Sequence, residues 1–532
     1  MNHRPDPAID GPGHATLSAA GILAESAVRH ADRPALHFAG TTTTYRDLWD
    51  QTRAYAGALR DRGIGPGSRV AMMVPNVPDF ARVYYAALSL GAVVVPVHLL
   101  LKSAEITYVL RDAEADLFVV AAPLLGEALP AAGAAGVAVT TVLLPADTPA
   151  PAGDLPRLER EAAASTPIAR HAATGPTDPA TILYTSGTTG TPKGAVGSHL
   201  SIIEQVHCTL IDSFDLGADD IVFGGLPLFH TFGQTAVMNM AFRVGASVIL
   251  LPRFDPDDAL ALMVAHEATV FTAVPTMYVR MLEAARRSDA RPPLRYAVSG
   301  GAALPVVVLE AFRDVFGADV HEGYGLTETA PIVSSNTLAE PIRPGTVGRA
   351  MWGVDIAIAD PDNDDEVVLP GDADALGEVV VRGHNLFKGY LGRPEATDAA
   401  MTDGWFRTGD LGRYADGVLT IVDRKKDMIV RSGYNVYPTE VEAVLAQHPR
   451  VAVAAVFGVA DDLRGQEIHA AVVAREPAAV DEAELVAFVR DRIAAYKYPR
   501  VVHVVGELPL GASGKVLKRE LVERFTLQPA GE

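Results

Sequence analysis

Short, continuous apolar runs separated by longer mixed stretches dominate the first 350 residues. Arg69-Val70-Ala71-Met72-Met73-Val74 closes on Pro75-Asn76, and Ala92-Val93-Val94-Val95-Pro96 and Leu117-Phe118-Val119-Val120 have the same texture. Runs of this length without alternation suit strands covered on both faces. Between residues 17 and 123 they alternate with helical stretches, and the pattern resumes over residues 179–350. There, Ser247-Val248-Ile249-Leu250-Leu251, Val270-Phe271-Thr272-Ala273-Val274 and Tyr296-Ala297-Val298-Ser299 read as further buried strands. Strand–helix alternation of this kind predicts α/β layers around mainly parallel sheets. The intervening residues 122–178, rich in Ala and Pro, read as a peripheral helix followed by a connecting segment.

Past residue 350 the texture changes to short strands and turns. Asp416-Gly417, between Tyr414 and the run Val418-Leu419-Thr420-Ile421-Val422, predicts a hairpin. Asp360 to Asp374 reads as an acidic, solvated surface loop. A smaller α+β segment of about 110 residues follows Asp423 as a separate lobe. The expected organisation is a loose leader over 1–16, a large domain over 17–423 and a small C-terminal lobe over 424–532.

A chain of 532 residues exceeds what one core supports. With 49% hydrophobic and 21% charged residues it reads as globular. Its formal net charge of −20 argues against a general affinity for nucleic acid. The single cysteine, Cys208, excludes an intrachain disulfide framework and a cysteine-based zinc site, which fits a reducing cytoplasm. The polar first dozen residues do not read as a signal peptide. The longest apolar run, Tyr84 to Leu101, is interrupted by Pro96 and His98 and reads as core, not as a membrane span.

The richest chemistry lies in Tyr184-Thr185-Ser186-Gly187-Thr188-Thr189-Gly190-Thr191-Pro192-Lys193-Gly194. Glycines let the backbone approach a ligand, hydroxyls and freed N–H groups surround an anion, and Lys193 adds a positive charge. The apolar Thr181-Ile182-Leu183-Tyr184 feeds this run as a strand feeds a phosphate-binding turn. It departs from the common P-loop, which needs G-x-x-x-x-G-K-[ST]. Further motifs follow in order. Leu226-Pro227-Leu228-Phe229-His230-Thr231-Phe232-Gly233 is aromatic and ends near a His and a Gly. Ser299-Gly300-Gly301-Ala302-Ala303 follows a strand, and Glu322-Gly323-Tyr324-Gly325-Leu326-Thr327-Glu328-Thr329 joins an aromatic, two glycines and a carboxylate. Thr408-Gly409-Asp410 reads as a carboxylate in a tight turn. Asp423-Arg424-Lys425-Lys426-Asp427 sets three cations beside two carboxylates, and Gly511-Ala512-Ser513-Gly514-Lys515 sets a Lys on a flexible loop.

This ordered set, spread over roughly residues 20–525, resembles the adenylate-forming superfamily of acyl-CoA synthetases, peptide-synthetase adenylation domains and beetle luciferases. The blocks around Phe229-His230 and Gly323-Tyr324-Gly325 are most similar to those of bacterial fatty-acid–CoA ligases. The resemblance implies a large domain of layered α/β sheets plus a distorted β-barrel, with a small mobile α+β lid. It implies that ATP and a carboxylic acid give acyl-AMP and pyrophosphate, and that the thiol of coenzyme A then displaces AMP.

Site roles carry over by resemblance. Thr185, Ser186, Gly187, Thr188, Thr189, Gly190 and Lys193 would hold the β- and γ-phosphates. Glu328, with Thr185 as a second ligand, would bind Mg²⁺. Gly300, Gly301, Ala302, Glu322, Gly323 and Tyr324 would form the adenine slot, with Thr327 beside them. Asp410 would accept from the ribose hydroxyls, Arg424 would support ribose or phosphate, and Lys515 would sit between the attacking carboxylate and the α-phosphate. Lys426 would be the hinge of the lid; His230, Phe232, Gly233 and Gly325 would border the acid. Ser432, Gly433 and Tyr434 would meet the incoming thiol after the lid turns. Apolar Phe232, Val237, Met238 and Met240 argue against an amino-acid substrate; the resemblance implies a medium- or long-chain fatty acid, with an aryl acid as the alternative. A carrier-protein phosphopantetheine is the alternative acceptor, and a homodimer is the family expectation. A binding protein that has lost catalysis is disfavoured because Lys515, Glu328 and Asp410 are all present.

Overall fold

The computed structural model describes residues 15–143, 155–185, 192–363, 366–367, 375–461, 463–475, 480–511 and 515–526. The six-stranded sheet forms around Arg69–Met73, which pairs in parallel with Val93–Pro96 on one side and Leu117–Ala121 on the other. Both neighbours are among the runs expected as strands, and all three are almost wholly buried. Pro179–Thr185 extends the sheet beyond Val93–Pro96 and turns back antiparallel into Lys193–Ser198. The opposite edge is Ala138–Val142, a strand inside the segment read as a connector. Its second half is buried and its first half is not, so it carries too little apolar signal to be read from sequence.

The nine-stranded sheet holds the remaining expected runs. Its parallel centre runs Val320–Gly325, Tyr296–Ser299, Val270–Ala273, Ile221–Gly224 and Ser247–Leu250, with Pro34–Phe38 beyond. Alternation along these strands separates two faces. Phe223 and Phe271 stack on one face and pack with Tyr278 and Phe312 from helices Pro275–Ala285 and Val306–Phe316. Val222, Val270, Tyr296 and Val298 point to the other face, where Phe214 stacks on Tyr296 at 5.4 Å. The Tyr84–Leu101 run becomes the helix Pro78–Ser89 and the strand Val93–Pro96, both buried. Among the described residues no helix is long and apolar enough to cross a membrane.

The expected distorted barrel corresponds to an antiparallel sheet of Val354–Ala359, Gly377–Gly383, Trp405–Ala415, Met401–Thr402 and Val418–Arg424. It is tied to the edge of the nine-stranded sheet by bonds between Val347, Gly348 and Leu419. The Asp416-Gly417 hairpin forms as expected, both residues taking positive φ (52° and 73°) as such a two-residue turn requires. Residues beyond 428 build their own antiparallel sheet with one parallel strand, Val501–Val505, and helices Pro438–Leu445, Glu482–Arg490 and Lys518–Thr526. A hydrophobic cluster around Ile429, Val441, Val456 and Val472 belongs to this lobe alone.

Candidate active site

A cleft of about 2870 Å³ opens between the large domain and the C-terminal lobe, at the ends of strands from three sheets. At one side Thr185 ends its strand directly across from Lys193. Both line the cleft. Ser186, Gly187, Thr188, Thr189 and Gly190 lie outside the described residues. Lys193 Nζ stands 5.0 Å from the centre of the Tyr390 ring, a cation–π distance. The Tyr390 hydroxyl in turn donates to Glu328 Oε1 at 2.8 Å. Lys193 and Glu328 are thus joined through an aromatic residue absent from the sequence reading. The signal for it was present: Phe387-Lys388-Gly389-Tyr390 has the same glycine–aromatic texture as the motifs that were read.

The next wall is made where Tyr296–Ser299 and Val320–Gly325 end. A β-carbon on Gly300 would come 3.0 Å from the Phe232 ring, and Gly301 holds φ at +84°. A β-carbon on Gly325 would lie 1.6 Å from the Pro331 carbonyl oxygen, so no other residue fits there. Glu322 is buried, and Leu304 donates its N–H to Oε1 at 3.2 Å. Burial pushes its carboxyl up to about 7, against the N–H groups of Leu304 and Gly345, which favour the charge. Ala302, Gly323, Tyr324 and Thr327 line the same part of the cleft.

Asp410 departs from the sequence reading in its setting. It lies within the strand Trp405–Ala415, not in a tight turn. The ladder to Gly377–Gly383 shifts register between Glu378 and Val380, and Gly409 takes φ +71° at this bulge. Glu378 holds the bulge: it accepts the Gly409 N–H at 3.1 Å and pairs with Arg407 at 2.8 Å, both side chains buried. The bulge aims Asp410 into the cleft. Tyr324 donates its hydroxyl to Oδ2 at 2.6 Å and Arg424 Nε stands 3.3 Å from Oδ1. Burial raises the Asp410 pKa, opposed by Arg424 and the Tyr324 hydrogen bond.

Lys515 reaches the same cleft from the C-terminal lobe. Its carbonyl accepts the Gly511 N–H at 2.7 Å; residues 512–514 lie outside the described residues. Burial, then Arg424, lowers its ammonium to about 8, with Asp410 and Glu328 opposing. Lys515 borders a small recess with His230, Phe232, Gly233 and Gly301. Burial, then the charge of Lys515, pushes His230 down to about 4. The Phe232 N–H points at His230 Nδ1 at 3.2 Å, so the neutral ring carries its proton on Nε2.

Ser432 and Gly433 form a two-residue turn of positive φ between Arg431 and Tyr434. Tyr434 is 57% exposed and stacks on Tyr496 at 4.8 Å, and none of the three lines the cleft. Lys426 sits in the turn after Val418–Arg424, at the cleft and at the passage between lobes. The lobe is thus posed with Lys515 inward and the expected thiol-side loop outward.

Comparison with known proteins agrees with this geometry. Residues 23–391 match the sequence model of the AMP-binding enzyme family, and residues 440–515 match that of the AMP-binding enzyme C-terminal domain. The chain is 35% identical over 539 residues to a long-chain-fatty-acid–CoA ligase of Bacillus subtilis, covering 95% of this chain and 94% of the relative. It is 36% identical over 505 residues to a feruloyl-CoA synthase of an Amycolatopsis species, covering 94% and 96%. Its structure is similar to that of the anthranilate CoA ligase AuaEII in complex with anthranoyl-AMP, with a TM-score of 0.89, 26% identity and coverage of 97% and 98%.

Proposed function

The chain belongs to the AMP-binding enzyme family and is an acyl-CoA synthetase, and we propose that its acid is a medium- or long-chain aliphatic one. The observation that carries this reading is the inner face of the nine-stranded sheet. The cleft continues past Gly300 along Val298, Val270, Tyr296 and Val222 towards Phe214 and Leu216. It therefore follows the strands over about three residues, roughly 10 Å at the rise of a strand. None of those six side chains is charged, so an acid tail lying there gains from burial and meets no counter-ion. The neutral His230, with its proton on Nε2, supplies a donor for the carboxylate at the mouth.

In this reading the acid carboxylate attacks the α-phosphorus of ATP, and the bond to pyrophosphate breaks to leave acyl-AMP. Two unit charges of like sign about 4 Å apart repel by roughly 4 kcal/mol at an effective dielectric near 20. Lys515 between the two anions offsets this repulsion, and Thr185 to Lys193 hold the departing diphosphate. Asp410 and Arg424 fix the ribose, with Gly300, Gly301, Ala302, Glu322, Gly323, Tyr324 and Thr327 around the base. The thiolate of coenzyme A then attacks the acyl carbonyl, AMP leaves, and the thiol proton passes to solvent. The lobe boundary falls at residues 423/424, with Lys426 as the pivot that exchanges Lys515 for the Ser432-Gly433-Tyr434 turn.

Magnesium fits the donor set. Glu328 Oε1 takes the Tyr390 hydroxyl, which leaves the second oxygen for a hard cation. Among the described residues no group of three or more His, Cys, Asp or Glu converges. A lone carboxylate with Thr185 suits an ion that keeps most of its water and phosphate ligands. Such an ion would supply charge neutralisation at the polyphosphate.

A panel of octanoate, dodecanoate, hexadecanoate, benzoate and ferulate, read by acid-dependent pyrophosphate release, tests the proposal. Preference for the aliphatic acids is expected; preference for ferulate or benzoate would move the reading to aryl acids, as the feruloyl-CoA synthase relative favours. Comparing free coenzyme A with a holo carrier protein tests the acceptor. A cytoplasmic location and a homodimer complete this reading; light scattering on the purified chain checks the second.

A further inference from the structure

Two residues flank the glycine- and hydroxyl-rich run, Tyr184 before Thr185 and Pro192 before Lys193, and both are tied to one helix. Tyr184 donates its hydroxyl to Asp112 Oδ2 at 2.8 Å, and Tyr108 donates its hydroxyl to the Pro192 carbonyl at 2.8 Å. Asp112 and Tyr108 lie one turn apart on the helix Ser103–Asp112. A third element locks this pair. Arg393 Nη2 reaches Asp112 Oδ1 at 2.9 Å and the Tyr108 oxygen at 2.7 Å. The segment that carries Arg393 is laid along the strand Lys193–Ser198 as an added strand. Lys388 donates its N–H to Val196 at 2.8 Å, Val196 to Gly389 at 3.1 Å and Leu391 to Gly194 at 2.8 Å. Gly194 permits the arrangement, because a β-carbon there would come 3.2 Å from the Tyr184 ring.

We propose that Arg393, Asp112, Tyr108 and Tyr184 are positioning residues that brace both stems of the Thr185–Lys193 loop for the ATP polyphosphate. The inference rests on reading that loop as the phosphate-holding one. The physical reason is entropic. Groups that are not already in place must be ordered when a polyphosphate binds, and that ordering costs free energy. Stems fixed in advance reduce the cost, and the gain appears as nucleotide affinity. The Arg393 and Asp112 side chains are part-buried, 35% and 18% exposed, so the pair also ties the segment to the helix, and a role confined to the fold predicts equal loss in both half-reactions. The same segment carries Tyr390, which contacts both Lys193 and Glu328. One added strand therefore braces the stems at one end and orders the loop lysine at the other.

The test uses the full-length enzyme and the acid it activates best. Arg393→Ala is expected to raise the KM for ATP in ATP–pyrophosphate exchange about tenfold, with kcat changed less than threefold. Arg393→Lys, which restores the charge but not the fork, is expected to recover part of the loss. Reaction of supplied acyl-AMP with coenzyme A should stay within twofold of the parent enzyme. Tyr108→Phe removes only the hydroxyl that holds Pro192 and should give a smaller rise in the same KM; it carries the test if Arg393→Ala does not fold. A parallel fall in both half-reactions, tracking a lower Tm, would reduce the cluster to a structural role and overturn the brace. Lys193→Ala separates the two readings. If it raises the ATP KM while Arg393→Ala and Tyr108→Phe leave it unchanged, the brace is wrong and the phosphate loop stands. If Lys193→Ala itself leaves the ATP KM unchanged, the loop reading fails and the brace falls with it.

Discussion

The side chain of Lys515 lies against the backbone of Gly301: its Cε is 3.9 Å from where a β-carbon on residue 301 would sit. One residue belongs to the C-terminal lobe and the other lies just past the strand Tyr296–Ser299, so the contact defines the pose of the lobe. In this pose Lys515 can serve only the step that takes place beside Gly301. Lys515→Ala is therefore expected to slow acyl-AMP formation by about 10²–10³, the scale of losing one preorganised charge-stabilising group. Reaction of a supplied acyl-AMP with coenzyme A should stay within about threefold of the parent. Pyrophosphate release and thioester formation measured separately check this, and equal loss of both would contradict the two-pose picture.

The pH dependence of the same residue follows from its surroundings. Burial and Arg424 bring its pKa to about 8, from an ordinary value of 10.5. In the role proposed for Lys515 the charged form acts, so kcat/KM for acyl-AMP formation should fall as pH rises through about 8. Stability moves the other way. Between pH 8 and 10.5 the unfolded chain binds more protons at this position than the folded one, so its contribution to stability rises with pH. Below pH 8 the buried ammonium costs the fold on the order of 1–3 kcal/mol. Lys515→Met should accordingly raise the Tm at pH 7 and lose that advantage by pH 10. An unchanged Tm at both pH values would refute the shifted pKa.

The hinge prediction concerns Lys426, in the turn between Val418–Arg424 and the first strand of the lobe. Rotation of the lobe needs the torsions of this short link to change, and proline fixes φ near −65°. Lys426→Pro is expected to spare pyrophosphate release within a few fold and to slow thioester formation at least tenfold. Stopped-flow separation of the half-reactions checks it; equal rates to the parent in both would remove Lys426 as the pivot.

What the sequence made legible was local. Runs such as Arg69–Val74 and Tyr296–Ser299 carry their burial in their own composition, and the Asp416-Gly417 hairpin needs only two residues of positive φ. The candidate residues Thr185, Glu328, Asp410 and Lys515 were visible because each sits in a run of glycines and small polar residues. Partners far apart along the chain were not visible. Arg393 and Asp112 are 281 positions apart and meet only after Gly389 to Leu391 pair with the strand Lys193–Ser198. The tight turn expected at Asp410 was a misreading of the same glycine. A positive-φ glycine serves a turn or a bulge equally well, and it is the buried Glu378 that makes it a bulge.

Tyr324 and Asp410 make a further prediction. The hydroxyl donates at 2.6 Å to a buried carboxylate. Tyr324→Phe removes that donor at a cost of about 1–2 kcal/mol in how the carboxylate is held. It should raise the KM for ATP roughly five- to thirtyfold at nearly constant kcat. Asp410→Ala, which removes the proposed acceptor for the ribose hydroxyls altogether, should raise it more. Steady-state kinetics with ATP as the varied substrate decide; an unchanged KM in Asp410→Ala would refute the ribose role.

Glu322 should reveal itself through stability before activity. Its carboxyl is pushed from 4.5 to about 7 by burial, so the folded state favours the neutral acid. A raised carboxyl contributes fully below pH 4.5, where both states are protonated. That contribution is lost as pH rises through 7, because the unfolded chain releases its proton first. The full loss is about 3 kcal/mol at pH 8, a ceiling set by the size of the shift. Glu322→Gln keeps the shape and cannot ionise. Its Tm should match that of the parent near pH 4.5 and exceed it increasingly up to pH 8, then run parallel. Denaturation series on both proteins from pH 4.5 to 9 measure the gap. A gap that does not widen across that range would mean Glu322 is charged in the folded enzyme, with a cation or donor beside it.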